Sequence, residues 1–150
     1  MQMLPIIIVA IVLLIVLIVI WIVKDLKNVK YTKVKVSNYT VNAELADDIF
    51  KMTKGLMGRD GLRENQGMLF VFSNEDYHRF WMMNMSMPID IIFANRNKTV
   101  VDIWQDAQPC GLSCSSYSPQ KPAMYVLEVK ANFTERHNVR TGSKLSFDIE

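Results

Sequence analysis

A stretch in the middle of the chain places polar groups where a buried strand would be expected. Residues 80–93 read FWMMNMSMPIDIIF, so two apolar blocks rich in aromatic residues flank Asn84, Pro88 and Asp90. A polar group that is buried without a partner costs free energy, so each of these groups must find a hydrogen-bond partner or line a site. The stretch is therefore either a structural hydrogen-bond network or the floor of a binding site.

A second constraint is the unbroken apolar run from Leu4 to Val23. As a helix that rises ~1.5 Å per residue, the run would extend roughly 30 Å, the thickness of a bilayer core. It has neither the polar stripe of a core helix nor the small-residue cleavage site of a signal peptide. The sequence therefore predicts a transmembrane anchor at 4–23, with the lipid bilayer as a partner and a single-pass membrane localisation.

The charges that follow the run favour a tether beside the membrane. Five lysines lie within residues 24–39, which are predicted to form a basic juxtamembrane tether. Of the 17 basic residues, 12 remain from Val36 onward, and 14 of the 15 acidic residues lie there too. The domain is therefore slightly acidic, so nucleic acid is not an expected partner. The positive-inside rule would place a domain that follows these lysines in the cytoplasm. Four glycosylation sequons and two cysteines favour the opposite side of the membrane. We expect an extracytoplasmic domain.

Residues 40–150 are predicted to form one domain. Alternation of apolar and polar residues predicts a strand at 40–45, and Asp47 is a typical N-cap for a short helix that ends near Gly58. Aromatic and β-branched runs predict further strands at 67–72, 77–84, 89–94, 99–104, 124–129 and 144–149. The predicted fold class is mainly β, a single sandwich or barrel-like domain with one or two short helices.

The order of several short motifs resembles a known family. The motifs are KGLMGR at 54–59, GMLFVF at 67–72, FWM at 80–82, PIDIIF at 88–93, Pro109-Cys110 with Cys114 and Tyr117, and YVLEV at 125–129. They make roughly residues 40–149 similar to the domain-of-unknown-function 192 family, also called uncharacterised protein family 0127. The resemblance implies a compact, mainly β domain with a jelly-roll-like sheet, and it implies no activity. Met83 and Met124 stand where the family usually has basic residues, which would weaken an anion site there.

Polar residues beside the apolar strands form the candidate site. They are Arg59, His78, Asn84, Asp90 and Glu128, with Trp81 as an aromatic platform. A carboxylate at Asp90 must be paired if it points inward, and Arg59 is its predicted partner. The two interpretations are a buried ion pair that fixes a loop to the sheet and a cleft that binds a small polar ligand.

Sulfur-bearing residues suggest two further features. Cys110 and Cys114 are a candidate disulfide, with reduced thiols as the alternative, and they lack the further ligands of a zinc site. Met83, Met85 and Met87 alternate, so on a strand they would share one face, a geometry suited either to Cu(I) or to core packing. We expect no metal site and no cofactor.

Three functions are compatible with these residues. The first, which we favour, is a membrane-anchored β domain that binds a small polar ligand or a cell-envelope partner without catalysis. The second is an extracytoplasmic enzyme that uses His78, Asp90 or Glu128 as acid or base. The third is Cu(I) handling by the three alternating methionines. The sequence leaves the ligand and the oligomeric state open.

Overall fold

The computed structural model describes residues 3–26, 29–111 and 113–149, and it divides the chain into two units, Met1–Lys30 and Tyr31–Glu150. Helix α1 of the first unit spans Met3–Leu26, and the side chains described on it, at positions 7–21, are all exposed.

Within the described part of the chain, no helix is both long enough and apolar enough to cross a membrane. This finding corrects the prediction of a transmembrane anchor at 4–23. It also corrects the predicted localisation, a single-pass membrane protein with an extracytoplasmic domain. Of the predicted tether at 24–39, residues 27 and 28 lie outside the described residues, and residues from 31 onward belong to the sheet.

Over its described residues, the second unit is one seven-stranded sheet with two short helices. In chain order its elements are β1 (Tyr31–Val36), β2 (Tyr39–Ala46), α2 (Ile49–Lys54), β3 (Gln66–Asp76), β4 (Ile89–Ala94), β5 (Val100–Ala107), β6 (Ala123–Lys130), α3 (Phe133–Arg136) and β7 (Leu145–Ser146). The strand order in the sheet is β5-β4-β6-β3-β2-β1-β7. Neighbouring strands are antiparallel except β2 and β3, which are parallel.

The sheet curls until its two ends meet. Thr99, just before β5, pairs with Lys144, just before β7, and the N–H of Leu145 donates to the carbonyl of Lys98 at 2.8 Å. The domain is therefore a partly closed barrel, as the mainly β, barrel-like prediction with short helices expected. Among the described residues every strand belongs to one sheet, so the sandwich and the jelly-roll-like sheet, in which two sheets pack together, are not formed.

The two faces of the sheet carry separate hydrophobic clusters. The inner cluster draws on all seven strands and α3, and it includes Val34, Val41, Leu69, Ile92, Val100, Leu127, Phe133 and Leu145. The outer cluster includes Met68, Phe70, Phe80, Met82, Ile91, Phe93 and Val126. Successive side chains on a strand point to opposite faces, so β4 is buried at every position.

Two connections cover the outer cluster. Parallel strands need a crossover, and the one between β2 and β3 carries α2, which Asp48 caps by accepting the N–H of Lys51 at 2.9 Å. Between β3 and β4, residues 77–88 run without a regular strand and insert Phe80 and Met82 into the cluster. The strand predicted at 77–84 is therefore wrong, because this segment makes only isolated pairs.

Gly67 on β3 lets the backbone of β6 and the side chain of Val41 on β2 approach β3 closely. A Cβ at Gly67 would lie 2.6 Å from the backbone oxygen of Glu128 and 3.0 Å from Cγ1 of Val41. Because the backbone oxygen cannot move aside, we expect Gly67→Ala to lower the free energy of unfolding by about 2–3 kcal/mol, measured by urea unfolding. The control is Gly61→Ala, where a Cβ would meet nothing within 4 Å. Equal stability of the two variants would contradict the close approach.

Candidate functional site

One row of side chains crosses the outer face of the sheet. The strand register pairs Glu44 on β2 with Met68 on β3, Met68 with Glu128 on β6, and Glu128 with Ile91 on β4. Residues paired in this way point to the same face, and neighbouring strands lie about 4.8 Å apart. Two acidic side chains therefore stand on the outer face, separated by one strand.

Arg59 lies over this row and is committed to one of the two acids. Its guanidinium donates to Oε2 of Glu44 in a part-buried ion pair. Its charge also reaches Glu128, for which it acts as an opposing cation. The hydroxyl of Ser86 donates to the backbone carbonyl of Arg59, so the loop after α2 is joined to the 77–88 segment.

Glu128 is buried with an unsatisfied carboxyl. The residue is 5% exposed, and its Oε2 has no hydrogen-bond partner in the described chain. Burial raises the pKa of Glu128 to about 8, and the positive charge of Arg59 offsets only part of that rise. At neutral pH most of these carboxyls are therefore protonated, so the side chain offers a hydrogen-bond donor.

A cavity of about 210 Å³ opens beside this carboxyl, between α2 with its following loop and the 77–88 segment. Aromatic and thioether side chains form most of its wall, among them Met52, Phe70, Phe72, Phe80, Trp81 and Met85. Gly55, which has a φ of +49°, neighbours the carboxyl: a Cβ there would be in ordinary van der Waals contact with Oε2 of Glu128, at 4.0 Å. A polar group at the floor of an apolar cleft is the usual arrangement of a small-molecule site.

Asp90 is the second buried carboxylate, and its partners are complete. Its Oδ1 accepts the N–H of Asp106 at 2.9 Å and that of Asn132 at 3.1 Å. Its Oδ2 accepts the N–H of Thr134 at 2.8 Å and the Thr134 hydroxyl at 2.6 Å. The predicted pair of Arg59 and Asp90 is wrong, because Asp90 follows the inner face of β4 and Arg59 lies over the outer face.

The other predicted site residues divide between the cavity and its surroundings. The ring of His78 stacks on Phe72 with centroids 3.5 Å apart, and its Nε2 lies 3.1 Å from the carbonyl oxygen of Asn74. Asn84 is exposed and has a φ of +57°. The structure thus brings Trp81 and Glu128 into the lining, sets Arg59 beside them, and leaves His78, Asn84 and Asp90 outside the lining.

The alternation predicted for Met83, Met85 and Met87 is not formed, because residues 81–88 are irregular and only Met85 of the three lines the cavity. Cys110 and Cys114 form a disulfide with Cα atoms 5.5 Å apart. The N–H of Cys110 donates to the carbonyl of Met82 at 3.2 Å, which ties the disulfide loop to the cavity wall. Within the described residues, no group of three or more His, Cys, Asp or Glu side chains could hold a metal ion.

Sequence reasoning missed Glu44, Lys54 and Arg79. Lys54 begins the KGLMGR motif and Arg79 precedes the FWM motif, so the motifs themselves marked both walls of the cavity. Glu44 lies in a predicted strand, at a position whose alternation already separated it from Val41, Ala43 and Leu45. Its pairing with Arg59 depends on the parallel register of β2 and β3, which the sequence does not reveal.

Comparison with known proteins assigns the family. The model of the domain-of-unknown-function 192 family (DUF192), whose description is "Uncharacterized ACR", matches residues 32–147. The chain belongs to this family. It is 28% identical over 127 residues to the UPF0127 protein of Thermococcus sibiricus, which covers 81% of this chain and 75% of that protein. The resemblance seen in the motifs is confirmed.

Solved structures extend the likeness to the fold. A Sinorhizobium meliloti protein named as a candidate transcription regulator matches with a TM-score of 0.73 and 27% identity, over 79% of this chain and 95% of that one. A protein of unknown function from Novosphingobium aromaticivorans matches with a TM-score of 0.71 and 28% identity, over 79% and 84%. The DUF192 family is uncharacterised, so membership supplies the fold and no activity.

The two buried acids of the DUF192 domain should respond differently to removal. Asp90→Ala leaves three backbone N–H groups without an acceptor, so we expect the free energy of unfolding to fall by about 3–5 kcal/mol. Glu128→Leu, the matched control, removes a buried carboxyl whose Oε2 lacks a partner, and should cost less than about 1 kcal/mol. Urea unfolding at pH 7 compares them, and equal losses would contradict the assignment of one satisfied and one unsatisfied acid.

Glu128 should make the stability of the domain depend on pH. Its pKa is about 8 in the folded chain, against an ordinary value of 4.5, so between these two pH values the folded state holds a proton that the unfolded state has lost. The free energy of unfolding therefore falls as the pH rises from about 5 to about 8. We expect Glu128→Gln, which cannot titrate there, to reduce this fall by a few kcal/mol, at ~1.4 kcal/mol per pH unit. Denaturant unfolding from pH 5 to pH 9 tests this, and parallel curves for the two proteins would contradict it.

Proposed function

We propose that this DUF192 domain binds a small ligand in the cavity between α2 and the 77–88 segment, without catalysis. The ligand places an apolar body against the aromatic and thioether wall and a polar end at Glu128. The observation that carries the proposal is the side chain of Glu128, which lines the cavity and whose Oε2 is buried without a partner in the described chain. A buried polar atom without a partner costs ~1–3 kcal/mol, which a ligand offsets by supplying that partner.

The walls of the cavity are tied down, which supports a preformed site. The ion pair of Arg59 with Glu44 fixes the loop after α2. On the opposite wall, Phe80 and Tyr117 exchange two backbone hydrogen bonds of 2.8 and 2.7 Å. The disulfide loop is bonded to the same wall through Met82. Small-molecule sites are usually formed in this way before the ligand arrives.

The geometry favours binding over the alternatives raised by the sequence. Of the three residues predicted to act as acid or base, Glu128 alone lines the cavity, because Asp90 lies on the other face and His78 is outside the lining. Cu(I) handling loses its basis with the alternation of Met83, Met85 and Met87. Nucleic-acid binding, which the name of the Sinorhizobium meliloti protein suggests, is disfavoured by the acidic balance from Val36 onward.

A fragment screen on the full-length protein tests the proposal. The probes are small aromatic and aliphatic compounds with neutral, acidic and basic head groups, and the readout is the NMR signals of the Met52 and Met85 methyls and the Trp81 indole. We expect compounds that shift these signals together, with affinity reduced at least fivefold by Trp81→Ala.

The control for that screen is Phe50→Ala on α2. Phe50 is 84% exposed and lies outside the cavity lining, so its removal should leave the affinity unchanged. The proposal fails if no compound shifts the three signals at millimolar concentration. It also fails if Phe50→Ala weakens binding as much as Trp81→Ala does.

A further inference from the structure

Apart from Glu128, the ionisable side chains that line the cavity are basic. Lys54 on α2 and Arg79 on the 77–88 segment line the cavity, one on each wall. Neither forms an ion pair with a described acidic side chain, and both are exposed. Asp48, the acid of α2 that could compete for a cation, is bonded to Lys51 at 3.0 Å. The mouth of the cavity is therefore positive.

A positive mouth and a buried neutral acid select the charge of the ligand. A cation would have to approach Lys54 and Arg79 against repulsion, and would then have to displace the proton of Glu128 to gain an ion pair. A neutral ligand would leave both basic groups unused. An anion is attracted by both, and its oxygen can accept the hydrogen bond that the carboxyl of Glu128 offers.

We infer that the ligand is a small anionic amphiphile, a carboxylate on an apolar body, whose carboxylate accepts a hydrogen bond from the carboxyl of Glu128. The apolar body packs between α2 and the 77–88 segment, against side chains such as Met52, Phe80 and Trp81. This inference rests on the proposed function, since it assigns the ligand class of the same cavity.

The pH dependence of binding follows from the groups that face Glu128. From β3 and β4 these are the apolar Met68 and Ile91, which carry no charge. From the covering connections they are basic: Arg59, which is paired with Glu44, and the lining groups Lys54 and Arg79. Arginine and lysine ordinarily keep their charge between pH 7 and pH 9. Over this range the donor is lost only as Glu128 ionises, and with its pKa about 8 the affinity falls about tenfold.

Three probes with the same body and different head groups test the inference on the full-length protein. They are 3-phenylpropanoate, 3-phenylpropan-1-ol and 3-phenylpropylammonium, each titrated at pH 7 and pH 9 while the Met85 methyl and Trp81 indole signals are followed by NMR. We expect the carboxylate to bind at least tenfold more tightly than the other two at pH 7. We also expect it to weaken about tenfold at pH 9.

Two variants separate hydrogen bonding at Glu128 from a general structural role. Glu128→Gln keeps a hydrogen-bond donor and cannot ionise, so it should retain binding of the carboxylate and abolish its pH dependence. Glu128→Leu removes the donor and should reduce that binding at least tenfold. A pH dependence that persists in Glu128→Gln would overturn the inference.

The outcomes also distinguish the ligand class from the proposed function. If the ammonium or the alcohol shifts the two signals at lower concentration than the carboxylate, the cavity binds a ligand and the inferred class is wrong. If none of the three shifts them, the inferred class is wrong, and a negative fragment screen would remove the proposed function as well.

Discussion

The carboxylate of Asp90 joins β4 to two other parts of the chain, the end of β5 and the start of α3, up to 44 residues away. Two of its donors, Asp106 at the end of β5 and Asn132 before α3, have φ of +49° and +62°, a conformation that costs non-glycine residues ~1 kcal/mol or more. Asn132 makes no side-chain cap for α3, and Asp90 accepts the N–H of Thr134 in its place. The carboxylate therefore ends one strand, starts one helix and stabilises both left-handed turns.

Glu128 belongs to the cross-strand residue pair next to that of Asp90, but its Oε2 lacks the hydrogen-bond partners that Asp90 has. Asp90 pairs with Val129 across β4 and β6, and Ile91 pairs with Glu128, so the two acids point to opposite faces of neighbouring strands. The inner face supplies turns with free N–H groups, whereas the outer face supplies a wall of aromatic and thioether side chains. Arg59 could neutralise Glu128, but its ion pair is made with Glu44. The domain therefore keeps a buried acid that lowers the free energy of unfolding as the pH rises. A bound ligand that supplies a partner for Glu128 would offset this loss.

Much of the sheet was predictable from local pattern. The strands expected at 40–45, 67–72, 89–94 and 124–129 coincide with β2, β3, β4 and β6, because alternation or continuous burial leaves a local signature. The β1 strand was harder, since Lys33 and Lys35 suggested a tether although Val34 and Val36 belong to the inner cluster. The strand expected at 77–84 failed because apolar residues can be buried by packing alone, as Phe80 and Met82 are. The parallel pairing of β2 and β3 makes one curled sheet rather than two. Nothing in the local sequence of either strand indicates this pairing.

The sequence indicated which residues belong to the candidate site, but not which of them pair with each other. Polar residues inside apolar strands pointed to Asp90 and Glu128, and the motif order pointed to Arg59 and Trp81. Which acid takes the arginine depends on register, because a shift of one residue sends a side chain to the other face. Alternation within one strand cannot fix the face relative to another strand, so the sequence offered no reason to prefer Glu44 over Asp90. A buried carboxylate has a structural role where the face of the sheet on which it lies supplies hydrogen-bond donors. Where that face supplies none, the carboxylate is a candidate for ligand binding. Only the pairing of the strands determines which of these two cases applies.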